Sequence, residues 1–420
     1  MLAHIVLPLA RLSIENCAAH SDIHALELDL VRAAGRLETL LHPDPSTRLC
    51  EALSGIHSYY SNLIEGNSTE PIEAERALRR LEDPARPRTP DEQKYRLQAI
   101  AGIEAATVAR ERLRDGKVAV ESPAFINFLH QEFVSRLPPA MRMVHGDDGK
   151  VRALEAGQLR RDHVKVGRHI PPPPEQLPEL LAAYGEAYRC HSHSPAMVLL
   201  LHHRFAWIHP FLDGNGRVAR LLTEGMLSRT PAAGAGLWSL ARGLAKRKDD
   251  YQAMLARADA PRKGNYDGRG ALSKAEAETF TQFMLEIALD QARFMDERLT
   301  RDHLRDRITR FCEERKLVLN RDPRAQALIL EALQHGSFER GRAGALVGLT
   351  PRRAQDVVRE CLEDGLLFSP APKGRLHAAF PMYALAYWFP NLFPVDNPQQ
   401  AMREYCEALA RQRLENARAS

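Results

Sequence analysis

The chain has no CxxC pair and no cysteine framework. Its six cysteines, Cys17, Cys50, Cys190, Cys312, Cys361 and Cys406, never come closer than 33 residues apart in 420. That spacing excludes a disulfide scaffold and a paired-cysteine metal site, and it fits reduced thiols in a cytoplasm. Aromatic residues are scarce at 6%, which argues against an all-β sandwich and suits helices rich in Ala, Leu, Arg and Glu. Neither sign of charge dominates. The 58 basic and 54 acidic residues leave +4, which excludes a wholly basic nucleic-acid coat and an acidic disordered tail. Long apolar runs are missing as well. The stretch from Ile5 to Ala10 is too short to span a membrane, and His4 stands where a signal peptide would carry basic residues, so the expectation is a soluble, unexported, cytoplasmic protein with no membrane partner. There is no internal repeat and no low-complexity segment.

What is present is ordinary globular composition, 44% hydrophobic and 27% charged, on a length that predicts two to three domains. Helical periodicity covers most of the chain. One helix is predicted from Ser21 to Leu41, ended by the break His42-Pro-Asp-Pro-Ser46. Another occupies 47–66 and runs into Gly66 and Asn67, a C-terminal stop. Glu70 to Leu81 and Asp91 to Arg114 follow, separated by Pro84, Pro87 and Pro90. Ser122 as N-cap and Pro123 at the first helical position open a helix over 122–137. Residues 138–174 are rich in Pro and Gly, and within them Asp162 to Ile170 alternates with period two, which predicts a short strand or hairpin. Helices resume at Pro178–Arg189. Ser194-Pro195 opens a helix, Ala196 to Ile208, whose first turns (Met197 to Leu201) have no polar face, so it belongs in the core. Pro210 ends it, and a further helix runs from Gly216 through Leu227. One or two long helices fill 275–317.

Chemistry concentrates in His209-Pro-Phe-Leu-Asp-Gly-Asn-Gly-Arg-Val-Ala-Arg220. Gly214 and Gly216 let backbone turn sharply and approach a ligand. The loop opens on a helix N-terminus, where free amides and the dipole favour an anion. Arg217 and Arg220 are three apart on one helix face and can grip phosphate bidentately. Asp213 offers a hard oxygen ligand for Mg²⁺, and His209 can accept a proton near pH 7. Together they point to transfer of a phosphate-linked group. His191, His193, His202 and His203 have no zinc-site spacing; His202 and His203 point to different helix faces.

This stretch resembles the Fic (Fido) signature HPFxDGNGRxxR at every fixed position, and the surrounding helix order over roughly 50–290 is similar too. The resemblance implies an all-α Fic helical bundle with a small β-hairpin flap. It implies transfer of AMP from ATP to a hydroxyl of a target protein. By it, His209 would be the general base and Asp213 would hold Mg²⁺. The amides around Gly214, Asn215 and Gly216, with the Asn215 side chain, would cradle phosphates. Arg217 would orient the β-phosphate and Arg220 the γ-phosphate, while Phe211 would anchor the loop. Ser61-Asn-Leu-Ile-Glu65-Gly66 resembles the family's inhibitory motif, whose glutamate pairs with the second arginine, here Arg220. Asp162–Ile170 resembles the flap where a target segment docks, and Tyr251 sits where a tyrosine lies near the adenine, although Asp250 replaces the first of the usual two.

From Arg324 onward the order changes: a helix to Gln334, then Gly341–Val347, a Gly348-Leu-Thr350 turn, a helix from Pro351 to Glu363, a strand at Gly365–Phe368 and a Lys373-Gly374-Arg375 tip. That is the layout of a C-terminal winged helix-turn-helix. Residues 340–375 hold seven basic residues (Arg340, Arg342, Arg352, Arg353, Arg359, Lys373, Arg375) against four acidic ones, so DNA is a candidate partner, as is a second copy of the chain. A polar helix, 398–418, closes the chain. The expected division is 1–45, of unassigned role; 46–120, carrying the inhibitory helix; a catalytic core at 121–290; linker helices at 291–322; the winged helix at 323–395; and 396–420. The alternative functions are a DNA-binding regulator that senses nucleotide through the Fic core, and removal of AMP on the same core.

Overall fold

Proline marks where many of the helices begin. The computed structural model describes residues 21–81, 88–114, 116–146, 149–268 and 270–419; the Ile5–Ala10 run, Cys17, Pro84 and Pro87 lie outside the described residues. The described helices and strands of the first three hundred residues are α1 (Ser21–Leu40), α2 (Pro43–Ile64), α3 (Pro71–Leu78), α4 (Pro90–Leu113), α5 (Pro123–Val134), β1 (Met143–His145), β2 (Val151–Ala153), α6 (Leu177–His191), α7 (Pro195–Ile208), α8 (Asn215–Leu227), α9 (Leu240–Lys246), α10 (Lys248–Ala258) and α11 (Lys274–Leu299). Then come α12 (Arg301–Leu319), α13 (Ala325–His335), β3 (Ser337–Phe338), α14 (Ala343–Val347), α15 (Pro351–Glu363), β4 (Leu367–Phe368), β5 (Leu376–Ala378), α16 (Met382–Trp388) and α17 (Pro398–Ala419). Helix α2 starts four residues earlier than the break at 42–46 suggested. Its two prolines fall in the first turn, where the missing N–H has no intrahelical partner anyway.

The chain forms two compact units. One comprises the described residues up to Gly35 with Tyr60–Ser68 and Leu97–Arg293; the other comprises Arg36–Tyr59, Thr69–Arg96 and the described residues from Phe294. Neither is contiguous, because α2, α4 and α11 run to 22, 24 and 26 residues and each contributes to both.

In the first unit α7 is the central element. Ser194 caps it, accepting from the Met197 amide, and Met197 through Phe205 are all buried. It packs between α6 and α8. The prediction of an all-helical unit with one small hairpin holds, but the hairpin lies elsewhere. β1 and β2 pair antiparallel, Val144 opposite Arg152, and Val144 and Leu154 pack on Phe133, Val134 and Leu137. Asp162–Ile170 forms no strand. Its only pairing is a bridge between Val166 and His169, closed by Gly167 in the left-handed region at φ 60°. The alternation found no sheet to face, so Val166 and Ile170 are exposed, and the Asp162 and Pro172 carbonyls are taken by the Arg160 guanidinium. A region with one bridge offers little edge for strand addition.

In the second unit, from Arg324 onward, come α13, β3, α14, α15, β4 and β5; the strand β3 between the first two helices was not anticipated. Its three strands run β3-β5-β4, with Ser337 opposite His377 and Leu367 opposite Ala378. α15 buries Ala354, Val357, Val358 and Cys361, a helical stripe. Beneath them Arg315 donates to Asp364 at 2.7 Å, with both side chains at most 1% exposed; the Tyr383 hydroxyl donates to the Asp364 carbonyl. Removing one member of a buried pair leaves an uncompensated charge. Asp364→Ala should therefore cost about 3–5 kcal/mol in urea unfolding of the full chain; a loss under about 1 kcal/mol, the value of an exposed pair, would contradict this reading.

Candidate active site

Helix α7 cannot continue past Ile208, since Pro210 disfavours helical geometry at the residue before it. His209 takes the left-handed conformation, φ 49° and ψ 60°, and its amide closes the helix on the Phe205 carbonyl. This conformation is uncommon for a residue with a Cβ, and Arg160 holds it. The buried Arg160 guanidinium donates to the carbonyls of His209 (2.8 Å), Asp162 (3.1 Å) and Pro172 (2.5 Å), and the Arg160 amide donates to the Pro210 carbonyl at 2.9 Å. A cation at a helix C-terminus is the favourable sign for the dipole. Burial lowers the Arg160 pKa to about 10, so it keeps its charge at neutral pH.

The loop after His209 is fixed from inside. Phe211 is fully buried and stacks on the His130 ring, with centroids 3.9 Å apart. His130 Nδ1 accepts from the Gly157 amide at 2.9 Å, which leaves Nε2 as the donor to the Asp213 carbonyl at 3.2 Å. The Asn215 amide grips the Phe211 backbone at both ends, accepting from its N–H at 2.9 Å and donating to its carbonyl at 2.7 Å. The Asn215 side chain therefore braces the loop, and its backbone amide stands at the start of α8. Gly214, at φ 81°, precedes α8 without a side-chain cap, so the first amides of α8 have no partner within the helix.

Arg217 and Arg220 do share a face of α8, in different settings. Arg217 lies over the Phe133 ring at 4.5 Å, with Nε and Nη1 buried and without a hydrogen-bond partner. Arg220 is engaged through Nε, which donates to Ser61 Oγ at 2.8 Å, and through Nη2, which donates to the Ser61 carbonyl at 3.0 Å and to Glu65 Oε1 at 2.5 Å. Glu65 is the first residue beyond the end of α2. Gly66 follows it at φ 87°, with the Asn67 amide bonding back to Asn62 and the Gly66 amide to Leu63, a Schellman stop that fixes where the carboxylate points. A Cβ at Gly216 would overlap Glu65 Oε1, so glycine there lets the carboxylate reach the first turn of α8. Burial would raise the Glu65 pKa, but Arg220, Arg217 and Lys248 outweigh it and hold the carboxyl below its ordinary value.

His209 is a neutral base. Burial lowers its pKa to about 4, with Arg160 and His169 adding to the effect and a hydrogen bond to the Ala206 carbonyl opposing it. Asp213 is exposed, with Oδ1 accepting from the Gly214 amide at 2.6 Å. Tyr251 is buried at 4% exposure, with its hydroxyl 2.7 Å from His202 Nε2. His202 and His203 bond to Thr223 and Asp259, and among the described residues no group of three or more His, Cys, Asp and Glu side chains is placed to hold a metal ion. Sequence reasoning missed His130, Arg160 and Lys248: each is a single polar residue whose partners come from distant segments. For Lys248 the flanking 246–251 stretch was the available signal.

Residues 120–227 match the Fic/DOC family, so the chain carries a Fic domain over that stretch, the one holding His130, Arg160 and His209 through Arg220. Among curated relatives it is 41% identical over 86 residues to "Protein adenylyltransferase Fic" of Drosophila ananassae. It is 39% identical over 85 residues to the protein of the same name from Nematostella vectensis. These matches take in 19% of this chain and only 17% and 20% of those proteins. Among solved structures, a Fic family protein from Desulfovibrio desulfuricans G20 aligns with a TM-score of 0.50 and 20% identity, over 86% of this chain and 96% of that one. At that identity it shows a shared fold. No helix among the described residues is long and apolar enough to cross a membrane.

Four histidines of this unit have pKa values lowered chiefly by burial: His202 to about 3, and His130, His203 and His209 to about 4. Unfolded, each titrates near about 6.5. Between these values the unfolded chain binds more protons, so stability is full above about pH 6.5 and lost as pH falls toward about 4. The melting temperature should decline steeply over that window, with about four protons taken up on unfolding near its middle. A flat melting temperature down to about pH 5 would contradict these settings.

Proposed function

We propose that this chain transfers AMP from ATP to a hydroxyl side chain of a target protein, and that Glu65 inhibits the reaction. The observation that carries the reading is Arg217: a buried guanidinium with Nε and Nη1 unpartnered, at the start of a helix that favours anions, suits a phosphate. In this reading His209 takes the proton from the attacking hydroxyl, and the oxygen forms a bond to the α-phosphorus. The bond from that phosphorus to the bridging oxygen of the β-phosphate breaks, and pyrophosphate leaves. Arg217 and the α8 amides stabilise the charge that builds on the leaving group. Arg220 takes the terminal phosphate once Glu65 gives it up.

The residues fit Mg²⁺. Asp213 is exposed, with Oδ1 already bonded to Gly214 and Oδ2 left to act as a ligand, and Mg²⁺ ordinarily takes one or two carboxylates alongside phosphates and water. When bound, it would neutralise phosphate charge.

Glu65→Gly should raise labelling of the chain by radioactive ATP by about tenfold or more, the equivalent of one charge-assisted bond. Adding His209→Ala should lower it again by about 10²–10⁴-fold. Unchanged labelling in Glu65→Gly would sink the inhibitory reading, and full labelling without His209 would sink the base.

A second reading applies to the C-terminal unit, taken as a winged helix. Arg342, Arg359 and Arg375 are paired with Glu331, Asp356 and Glu339, and Arg340 bonds the Gly374 carbonyl. Arg352 and Arg353 stand exposed at the start of α15, where phosphate contacts would fall. If they touch DNA, replacing either with Ala should lower the salt slope of binding by about 1; no retardation of duplex DNA by the native chain would reject the contact.

A further inference from the structure

The stretch that carries Ser61 and Glu65 passes only briefly through the first unit. Tyr60–Ser68 belongs there, whereas Arg36–Tyr59 before it and Thr69–Arg96 after it belong to the second unit. The two residues bonded to Arg220 are thus delivered by chain that is built into the second unit on both sides.

Each side is anchored within that unit by specific contacts. Upstream, near the start of α2, Arg48 pairs with Asp44 one turn earlier through two bonds of 3.1 Å and lies over the Phe368 ring at 4.0 Å. Asp44 Oδ2 also accepts from His377 Nδ1 at 3.0 Å. Phe368 and His377 stand on β4 and β5, with ring centroids 5.3 Å apart. Leu49, Leu53 and Ile56 follow at helical spacing, each at most 2% exposed, so this part of α2 is core rather than surface. Downstream, Glu75 on α3 accepts from the Met382 amide of α16 at 2.8 Å, and Arg76 pairs with Glu404 of α17 at 3.0 Å. The Arg79 carbonyl accepts from Gln412 of α17 at 2.8 Å.

A continuous helix carries a displacement from one end to the other unless its own backbone bonds break, and α2 runs unbroken for 22 residues. Ser61 and Glu65 lie one turn apart at its far end, so their three bonds to Arg220 are kept or lost together. We infer that the second unit sets the strength of inhibition: its hold on α2 and α3 keeps Ser61 and Glu65 against Arg220, and loosening that hold withdraws both. This rests on the reading of Glu65 as an inhibitor of AMP transfer. It gives the C-terminal unit a role that does not require DNA, because a ligand that shifts β4 and β5, or α17, would act on the site without touching it.

The test is labelling of the full chain by radioactive ATP with Mg²⁺, in the native and Glu65→Gly backgrounds. Asp44→Ala with Arg48→Ala removes the upstream anchor. Arg76→Ala and Glu404→Ala cut the downstream pair from either side. All four residues belong to the second unit. Each variant should raise labelling of the native chain by about threefold, the equivalent of one ion pair or cation–π contact. In the Glu65→Gly background each should change labelling by less than about twofold, since the carboxylate is already gone. Thermal melts identify any variant that has failed to fold, and the other anchor then decides. Unchanged labelling of the native chain, or an equal gain in both backgrounds, overturns the coupling and leaves the AMP-transfer reading standing. If Glu65→Gly itself labels no more than the native chain, the inhibitory reading fails and this inference falls with it.

Discussion

The Arg220 guanidinium is held by Ser61 and Glu65 at 2.5–3.0 Å. Much of the site is organised around that fact. A carboxylate and a phosphate ask the same fork of donors for the same geometry, and both are drawn to the start of α8 by its unpaired amides. Glu65 meets both demands from within the chain. Gly216 gives it room, and the Schellman stop at Gly66 fixes the residue that carries it. In the proposed function, a phosphate would take over the charge that Glu65 satisfies here.

The other half of the site is held by groups that carry no substrate in this account. Arg160 fixes the His209 backbone through carbonyls. His130 and Asn215 fix the loop between His209 and α8, one by stacking on Phe211 and bonding Asp213, the other by gripping the Phe211 backbone. These partners come from α5, from the segment after β2 and from α8 itself. A one-residue loop conformation with positive φ is thus braced from several directions, as a site needing sub-ångström placement requires. His209 is left uncharged at neutral pH, with one ring nitrogen donating to Ala206 and the other able to accept a proton.

Helix positions were largely legible because their signals are local: Ser122 and Ser194 as caps, proline at first positions, the polar-free turns of α7. The stretch from His209 to Arg220 was legible as a motif, and the contact of Ser61 and Glu65 with Arg220 followed from a resemblance and from charge. The hairpin was not. Alternation at Asp162–Ile170 describes side-chain spacing but not whether a strand lies alongside, and Arg160 claims the carbonyls a ladder would need. The side-chain partners of Asn215 and Tyr251, the Phe211 backbone and His202, could not be read from motif spacing either. His130 and Arg160 carried no signal, because their roles depend on partners 83 and 49 residues away.

The most direct test of the central claim is the affinity of the full chain for ATP with Mg²⁺, measured by calorimetry on the native protein and on Glu65→Gln. The glutamine keeps the size of the side chain and removes its charge. Competition for Arg220 predicts that Glu65→Gln binds ATP at least about tenfold more tightly. Equal affinities would contradict it, since Glu65 would then not stand where the phosphate binds.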